Sequence, residues 1–431
     1  MSRQMHFVAF LMTGPTSHHH GMWRHPETVN GFLTPGYWEN IARTLEAGKF
    51  DAFFFADATA FYNETVLERG GQMSFLDPLV LVSMLSRITT HIGMGATIST
   101  SFQPPYSLAR SLQSADVISG GRVAWNVVTS VSDREAHSYG MDALLPRDER
   151  YARAEEVVST CTTLWDSWDE GALVMNKATG EFVDSSKITP VDMRGTYVGA
   201  RGRFQVPPSP QGHPVIMQAG SSPRGRDFAA KWAEMVFTLQ HSIPDMQVFY
   251  KDMKARLAKF GRDPEDCAIL TSVDPIIGET EEIARAKQAY INDLVDPKVG
   301  IALVAAHTGL DLAQYPPDMP LADIPVEGGS RGSFEVILQG TKAEGLTLAE
   351  AAKRFATSEL CPQVVGTPES VADQLQEMFE AGGCDGFIFT PTEMPGSFES
   401  FTRSVVPILQ ERGLFRKDYT ATTLRGHLRQ R

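Results

Sequence analysis

The sequence predicts an α/β protein: one parallel (β/α)8 barrel of the TIM type, spanning residues 1–431 and carrying insertions. Eight near-continuous apolar runs of strand length occur along the chain, and amphipathic helical stretches separate them. Several of those helices open on the same signal, a capping side chain followed by proline. An apolar run without alternation suits a strand buried on both faces, as in a parallel sheet wrapped by helices.

In chain order, the first strand is expected over His6–Met12. Thr34-Pro35 then opens a helix over Tyr37–Gly48, with glycine as the stop. The second strand is Asp51–Asp57, and Asp77-Pro78 starts the helix Leu79–Ser86. His91–Thr97 and Arg122–Thr129 are the third and fourth strands, and the next long helix has Tyr151 near its start. His213–Ala219 is the fifth strand, with Ser222-Pro223 opening the helix Arg224–Ala233. Met235–Gln240 and Ala268–Asp274 follow. A helix begun by Thr367-Pro368-Glu369-Ser370 and running to Ala381 precedes the last strand, Cys384–Thr390.

Two segments break this rhythm. Residues 169–212 are rich in glycine and proline with little helical period, which predicts a hairpin-like insertion. Residues 296–363 hold Tyr315-Pro316-Pro317 and Gly328-Gly329-Ser330-Arg331-Gly332 ahead of a helix over Leu346–Ala356. Insertions of this length on a regular fold commonly serve as lids or binding loops.

Composition narrows the function classes. Lysine and arginine number 39 against 52 aspartates and glutamates, a net charge of −13. That balance opposes binding to nucleic acid or to anionic lipid surfaces. The basic stretch Arg425 to Arg431 is expected to be a solvated end. No apolar run is long enough to span a bilayer, and the N-terminus lacks a secretory pattern, so a cytoplasmic location is expected. Cys161, Cys267, Cys361 and Cys384 form no Cys-x-x-Cys pair, so neither zinc nor a redox dithiol is expected.

In such barrels the chemistry sits at the C-terminal ends of the strands. Those ends offer Asp57, Thr97, Asn126 through Ser130, Gln218 through Ser222, Gln240, Asp274 and Thr390. Most are neutral hydrogen-bonding groups, which suits a flat, polar-edged cofactor better than the carboxylate or metal clusters of hydrolases. The sharpest feature is Gln218-Ala219-Gly220-Ser221-Ser222-Pro223-Arg224-Gly225. A strand there passes through glycine and two serines into a helix start, a cradle for phosphate; a plain capped helix is the simpler alternative. Ser17-His18-His19-His20 invites a metal reading, but adjacent imidazoles do not converge easily, and no metal is expected. Trp23, Phe61, Tyr62 and Phe102 suggest an aromatic mouth.

The chain resembles the branch of luciferase-like flavin monooxygenases that includes nitrilotriacetate, dibenzothiophene-sulfone and long-chain alkane monooxygenases. The resemblance rests on Gly21-Met22-Trp23-Arg24-His25-Pro26, Gly48 through Asp57, Trp125-Asn126-Val127-Val128-Thr129-Ser130 and Asp148-Glu149-Arg150-Tyr151. Pro210 through Val215, Gln218 through Ser222, Gly309-Leu310-Asp311-Leu312 and Val365-Gly366-Thr367-Pro368 extend it over nearly the whole length. One departure is Ala136-His137-Ser138-Tyr139-Gly140, where relatives usually read Ala-Arg-Asn-Phe-Gly.

The resemblance implies a two-component enzyme. Reduced FMN comes from a separate NAD(P)H:flavin reductase, and one atom of O2 passes to a small organic substrate of sulfone, thioether or aminopolycarboxylate type. No Gly-x-Gly-x-x-Gly opens a helix, so a nicotinamide site is not evident and reduced flavin must come from elsewhere. Position and resemblance together assign Tyr151, Gly220, Ser221, Ser222 and Arg224 to the FMN phosphate end, and Asp57, Thr97, Asn126, Thr129 and Ser130 to the ring. Thr97 and Asn126 are the expected catalytic hydrogen-bond donors, with His20, His137 and His307 facing substrate or moving a proton. A homodimer or higher homo-oligomer is expected. The alternatives are a deazaflavin-dependent hydride-transfer enzyme and a non-catalytic flavin-binding protein.

Overall fold

The computed structural model describes residues 3–325 and 345–429. Each of the eight predicted runs holds a barrel strand. These are β1 (His6–Leu11), β2 (Ala52–Phe55), β3 (Gly93–Ser99), β4 (Val123–Val128), β5 (Val215–Gln218), β6 (Met235–Thr238), β7 (Ala268–Ile277) and β8 (Gly386–Phe389). Their order around the ring is β6-β5-β4-β3-β2-β1-β8-β7, and a β7–β6 pairing closes it, with every pairing parallel. A further short strand, Gln363–Gly366, pairs with the outer end of β7, Asp274 opposite Gln363.

Continuous apolar strands follow from burial on both faces. In β2, Phe54 points into the barrel with Phe10, while Phe53 and Phe55 pack outward under the helices. The two inner rings meet edge-on at 5.2 Å. Gly95 of β3 makes this fit, because a Cβ there would lie 2.5 Å from the Cβ of Phe54. The same alternation puts Thr97, one pleat further along β3, on the inner side at the top of the barrel.

The helix starts follow their sequence signals. Asp77 accepts from the amides of Leu79 and Val80, and Ser222 and Thr367 cap Pro223–Trp232 and Pro368–Glu380. Thr34 departs from expectation: it precedes the helix Pro35–Ala47, but its hydroxyl donates to Gly31 O at 2.7 Å instead of capping. Residues 169–212 contain two antiparallel hairpins, Leu173–Asn176 with Glu181–Val183 and Val191–Arg194 with Gly199–Gly202. In residues 296–363, helices Pro297–Thr308 and Leu348–Ser358 share a small apolar core built on Leu303, Leu348 and Phe355. The Gly328–Gly332 run lies outside the described residues.

As far as Leu428 the basic C-terminal stretch is not a solvated end; Arg429 is exposed, and Gln430 and Arg431 lie outside the described residues. Thr423 caps a short helix, Leu424–Leu428, whose Leu424 is fully buried in the barrel core against Gly93. Arg425 pairs with Glu234 at 2.5 Å, and His427 Nε2 lies 2.8 Å from His91 O. Gly93, Glu234 and His91 all lie at the N-terminal ends of their strands. The helix therefore plugs the bottom of the barrel, which leaves the opposite end as the open one. Apolar contact with the lumen, paired with a partly buried ion pair, outweighs the basic composition that suggested solvation.

Candidate active site

At the open end the lumen changes from apolar to polar within one pleat. Phe10, Phe54 and Phe237 form the floor, and the His18 ring sits 4.3 Å from that of Phe10. Above them Thr97 and Asn126 stand opposite each other in register, and Asn126 Nδ2 donates to Thr97 Oγ1 at 2.9 Å. Asn126 is 5% exposed, yet its Oδ1 has no partner. A buried carbonyl oxygen left unpaired costs about 1–3 kcal/mol, so an N–H brought to this end of the lumen would be stabilised by it.

Two further groups border this mouth. Ser272 Oγ lies 2.8 Å from Thr390 Oγ1 and 3.0 Å from Cys361 Sγ. Asp274, fully buried, accepts from Gln363 Nε2 at 3.3 Å through one oxygen while the other has no partner. Burial pushes its carboxyl up to about 8, against the pull of Gln363 and Lys287, so it is a neutral acid over much of the physiological range.

On the β3–β4 side, Ser130 Oγ lies 3.0 Å from Ser99 Oγ and donates to Glu135 Oε1, also at 3.0 Å. Ser130 adopts a left-handed backbone (φ 56°), held by this chain of bonds and by the capping box of the helix Asp133–Ser138. Thr129 is partly buried, and its carbonyl accepts from Ser101 Oγ at 2.8 Å. Asp57 continues β2 into a pocket of about 260 Å3 that also takes in Met12, Phe61, Tyr62 and Phe75. Burial raises its carboxyl to about 6; Asp77 and Glu135 add to the rise, and a bond from Ser74 opposes it.

The β5 end carries the turn expected to cradle a phosphate. Gln218 Oε1 accepts from Gly220 N at 2.6 Å and fixes the turn. Ser222 Oγ accepts from Gly225 N at 3.1 Å, which occupies one of the free amides of the helix start. Pro223 has no N–H to give, so the Arg224 amide is left over, with the Arg224 side chain exposed beside it. Ser221 is exposed, and its carbonyl is held by Arg226 Nε at 2.8 Å. A Cβ on Gly225 would lie 2.8 Å from the Tyr151 hydroxyl and 3.0 Å from Gly220 Cα, so Tyr151, Gly220 and Gly225 pack closely with no room for a methyl group.

The three histidines fall in two places. His20 and His307 come together around a residue that sequence reasoning missed, Glu359, whose Oε1 lies 3.3 Å from His20 Nε2. Burial pushes the Glu359 carboxyl up, but His18, His20 and His307 outweigh it and hold it low. Burial pushes His18 and His307 down in turn. The Tyr62 ring, which lines the Asp57 pocket, lies 5.3 Å from that of His307, so the cluster backs the pocket wall. His137 is elsewhere: it is exposed, its Nε2 2.9 Å from Asp142 O. Its neighbour Tyr139 does reach the site rim, stacked on Phe102 at 4.3 Å. Trp23 is exposed and donates to Arg69 O.

Glu359 and Gln363 were not singled out from sequence because each is brought in by a segment distant from the strand it serves. Glu135, only five residues past Ser130, reads in sequence as an ordinary helix-start acid, and Cys361 reads as one of four scattered thiols. The one legible signal was the position of Cys361 and Gln363 just ahead of a short apolar run. Among the described residues, no three histidine, cysteine or acidic side chains converge as a metal site, and no helix is long and apolar enough to cross a membrane.

Comparison with known proteins agrees with this geometry. The luciferase-like monooxygenase family pattern matches residues 5–385. The chain is 45% identical to dibenzothiophene-sulfone monooxygenase of Rhodococcus erythropolis (strain XP), covering 99% of this chain and 96% of that one. It is 40% identical to N-acetyl-S-(2-succino)cysteine monooxygenase of Bacillus subtilis (strain 168), covering 96% and 94%. The crystal structure of a riboflavin lyase with modified FMN and riboflavin superposes with a TM-score of 0.89 at 33% identity, covering 99% and 96%. A polar-rimmed barrel mouth, a helix-start cradle and these full-length likenesses lead to one conclusion: the chain belongs to the luciferase-like monooxygenase family and is a flavin-dependent monooxygenase.

Proposed function

We propose that this chain is the oxygenating component of a two-component system, taking reduced FMN from a separate NAD(P)H:flavin reductase and placing one atom of O2 on a small organic substrate. The observation that carries the FMN reading is the pairing of two ends. The unpartnered Asn126 Oδ1 stands over an aromatic floor, and the Gly220–Gly225 turn presents free amide and Arg224 charge. A ring with N–H edges and a phosphate tail fits both. The riboflavin lyase, solved with modified FMN, supports flavin use in a closely similar barrel.

In this reading Asn126 and Thr97 hold the polar edge of the ring, with Ser130, Thr129 and Asp57 along its margin. Tyr151, Gly220, Ser221, Ser222 and Arg224 hold the phosphate end. Reduced FMN supplies the electrons that activate oxygen; the protein binds it, orients it and keeps water away. His20, held by Glu359, and His307, beside the Tyr62 ring, stand behind the pocket wall as the proton-handling groups nearest the substrate side, and the exposed His137 has no such place. We read the chain as one barrel domain, acting in the cytoplasm as a homodimer.

The test is anaerobic titration with reduced FMN and with riboflavin, followed by oxygen-18 product analysis with a generic flavin reductase. Reduced FMN should bind at least tenfold more tightly than riboflavin, and one labelled atom should enter the product. Equal affinity for the two flavins would remove the phosphate cradle. Asn126→Ala should bind FMN but lose product yield.

A further inference from the structure

We infer that the Asp57 pocket selects an uncharged, largely apolar substrate, such as a thioether or sulfone with an aromatic or alkyl arm, and turns away carboxylate-bearing ones. The inference deepens the monooxygenase reading above and rests on it.

The pocket borders the mouth directly. Phe55 of β2 pairs with Ala96 of β3, so Asp57 and Thr97 leave adjacent strands at neighbouring heights. Met12, Phe61, Tyr62, Met73 and Phe75 supply its thioether and aromatic side chains. Thioether and aromatic walls favour apolar and polarisable groups, sulfur included. The charged groups that line it are both acidic, Asp57 and Asp77, and no lysine or arginine lines it among the described residues. Glu135 stands near enough to raise the Asp57 carboxyl further.

The groups packed behind the wall do not reverse this sign. His20 Nε2 lies 3.3 Å from Glu359 Oε1, and burial disfavours charge on His18 and His307, so the cluster offers the pocket no free cation. A substrate carboxylate entering this space would meet two carboxylates and lose hydration without gaining a cation. A neutral sulfur compound pays no such penalty. At about 260 Å3 the pocket falls just under the ~300–1,000 Å3 typical of ligand sites, which favours a compact molecule.

The experiment compares three thioethers on one skeleton: benzyl methyl sulfide, its para-methyl ester and its para-carboxylate. Each is supplied to the enzyme with reduced FMN from a generic reductase, and products are counted by mass spectrometry. The parent and ester should show kcat/KM at least tenfold above the carboxylate. Asp77→Asn keeps the helix cap and removes one charge, so it should narrow that gap by two- to fivefold, read as the ratio of ester to carboxylate kcat/KM within each protein. Equal turnover of ester and carboxylate, or a gap that Asp77→Asn leaves intact, overturns the inference. If none is oxidised, equilibrium dialysis against FMN-loaded protein must give the same ranking, or the inference fails. An anaerobic FMN titration run alongside separates the two claims: flavin binding without charge discrimination sinks only the pocket assignment, and absent flavin binding sinks the monooxygenase reading.

Discussion

Replacing Asp57 with asparagine should stabilise the protein above neutral pH and do almost nothing for it in acid. In the folded chain burial holds the carboxyl's proton up to about pH 6, whereas an exposed aspartate releases it near 3.8. Between those values the folded state binds more protons than the unfolded one, so this group's contribution falls as pH rises through that window and stays low above it. A difference of about two units corresponds to roughly 3 kcal/mol at pH 8, shrinking to under about 1 kcal/mol at pH 4. At about 2.1 cal/mol/K per residue, a chain of 431 residues has an unfolding entropy of roughly 0.9 kcal/mol/K, so the variant should melt about 3 °C higher at pH 8. The assay is differential scanning fluorimetry of both proteins, flavin-free, at pH 4 and pH 8, with the two differences compared. A variant that melts lower at pH 8, or a gain equal at both pH values, would show that Asp57 is not a desolvated carboxylate, and the electrostatic argument for the pocket would lose its footing.

Further perturbations probe other parts of the molecule. Gly225→Ala pushes a methyl group against Tyr151 and Gly220 and should weaken FMN binding about tenfold in flavin fluorescence titrations, with the melting point changed little. Arg224→Glu reverses an exposed charge at the helix start; FMN affinity should fall at least tenfold at low salt while riboflavin affinity holds, and a parallel loss for both would refute the phosphate role. Leu424→Ala empties a fully buried position at the barrel floor and should cost about 2–5 kcal/mol in chemical denaturation, with FMN affinity intact because the cradle is at the other end.

Much of the barrel could be read from the residues because burial on both faces writes itself as unbroken apolar runs. Phe53-Phe54-Phe55 admits no other strand environment, and β1 through β8 all fall within or across the expected segments. The turn and capped helix start at Gly220–Gly225 were legible because one short segment builds them. What sequence hid was everything assembled across distance. Glu359 lies 339 positions from His20, and only tertiary packing brings that carboxylate to the histidine. The C-terminal helix misled in the other direction: its charges are prominent in sequence, whereas a single leucine and a pairing with Glu234 decide where it goes. Thr34 carried a cap signal too, but a carbonyl three residues back took its hydroxyl.

The plug formed by Leu424–Leu428 has a practical corollary. It sits on the face of the ring farthest from the open mouth, so a support attached at residue 429 would hold the molecule by its base. Immobilised that way, on a bead or a sensor chip, the enzyme would present its entrance to solution, free to exchange cofactor with a soluble donor. The same attachment made through the loops around Phe61 or Tyr139 would block that traffic.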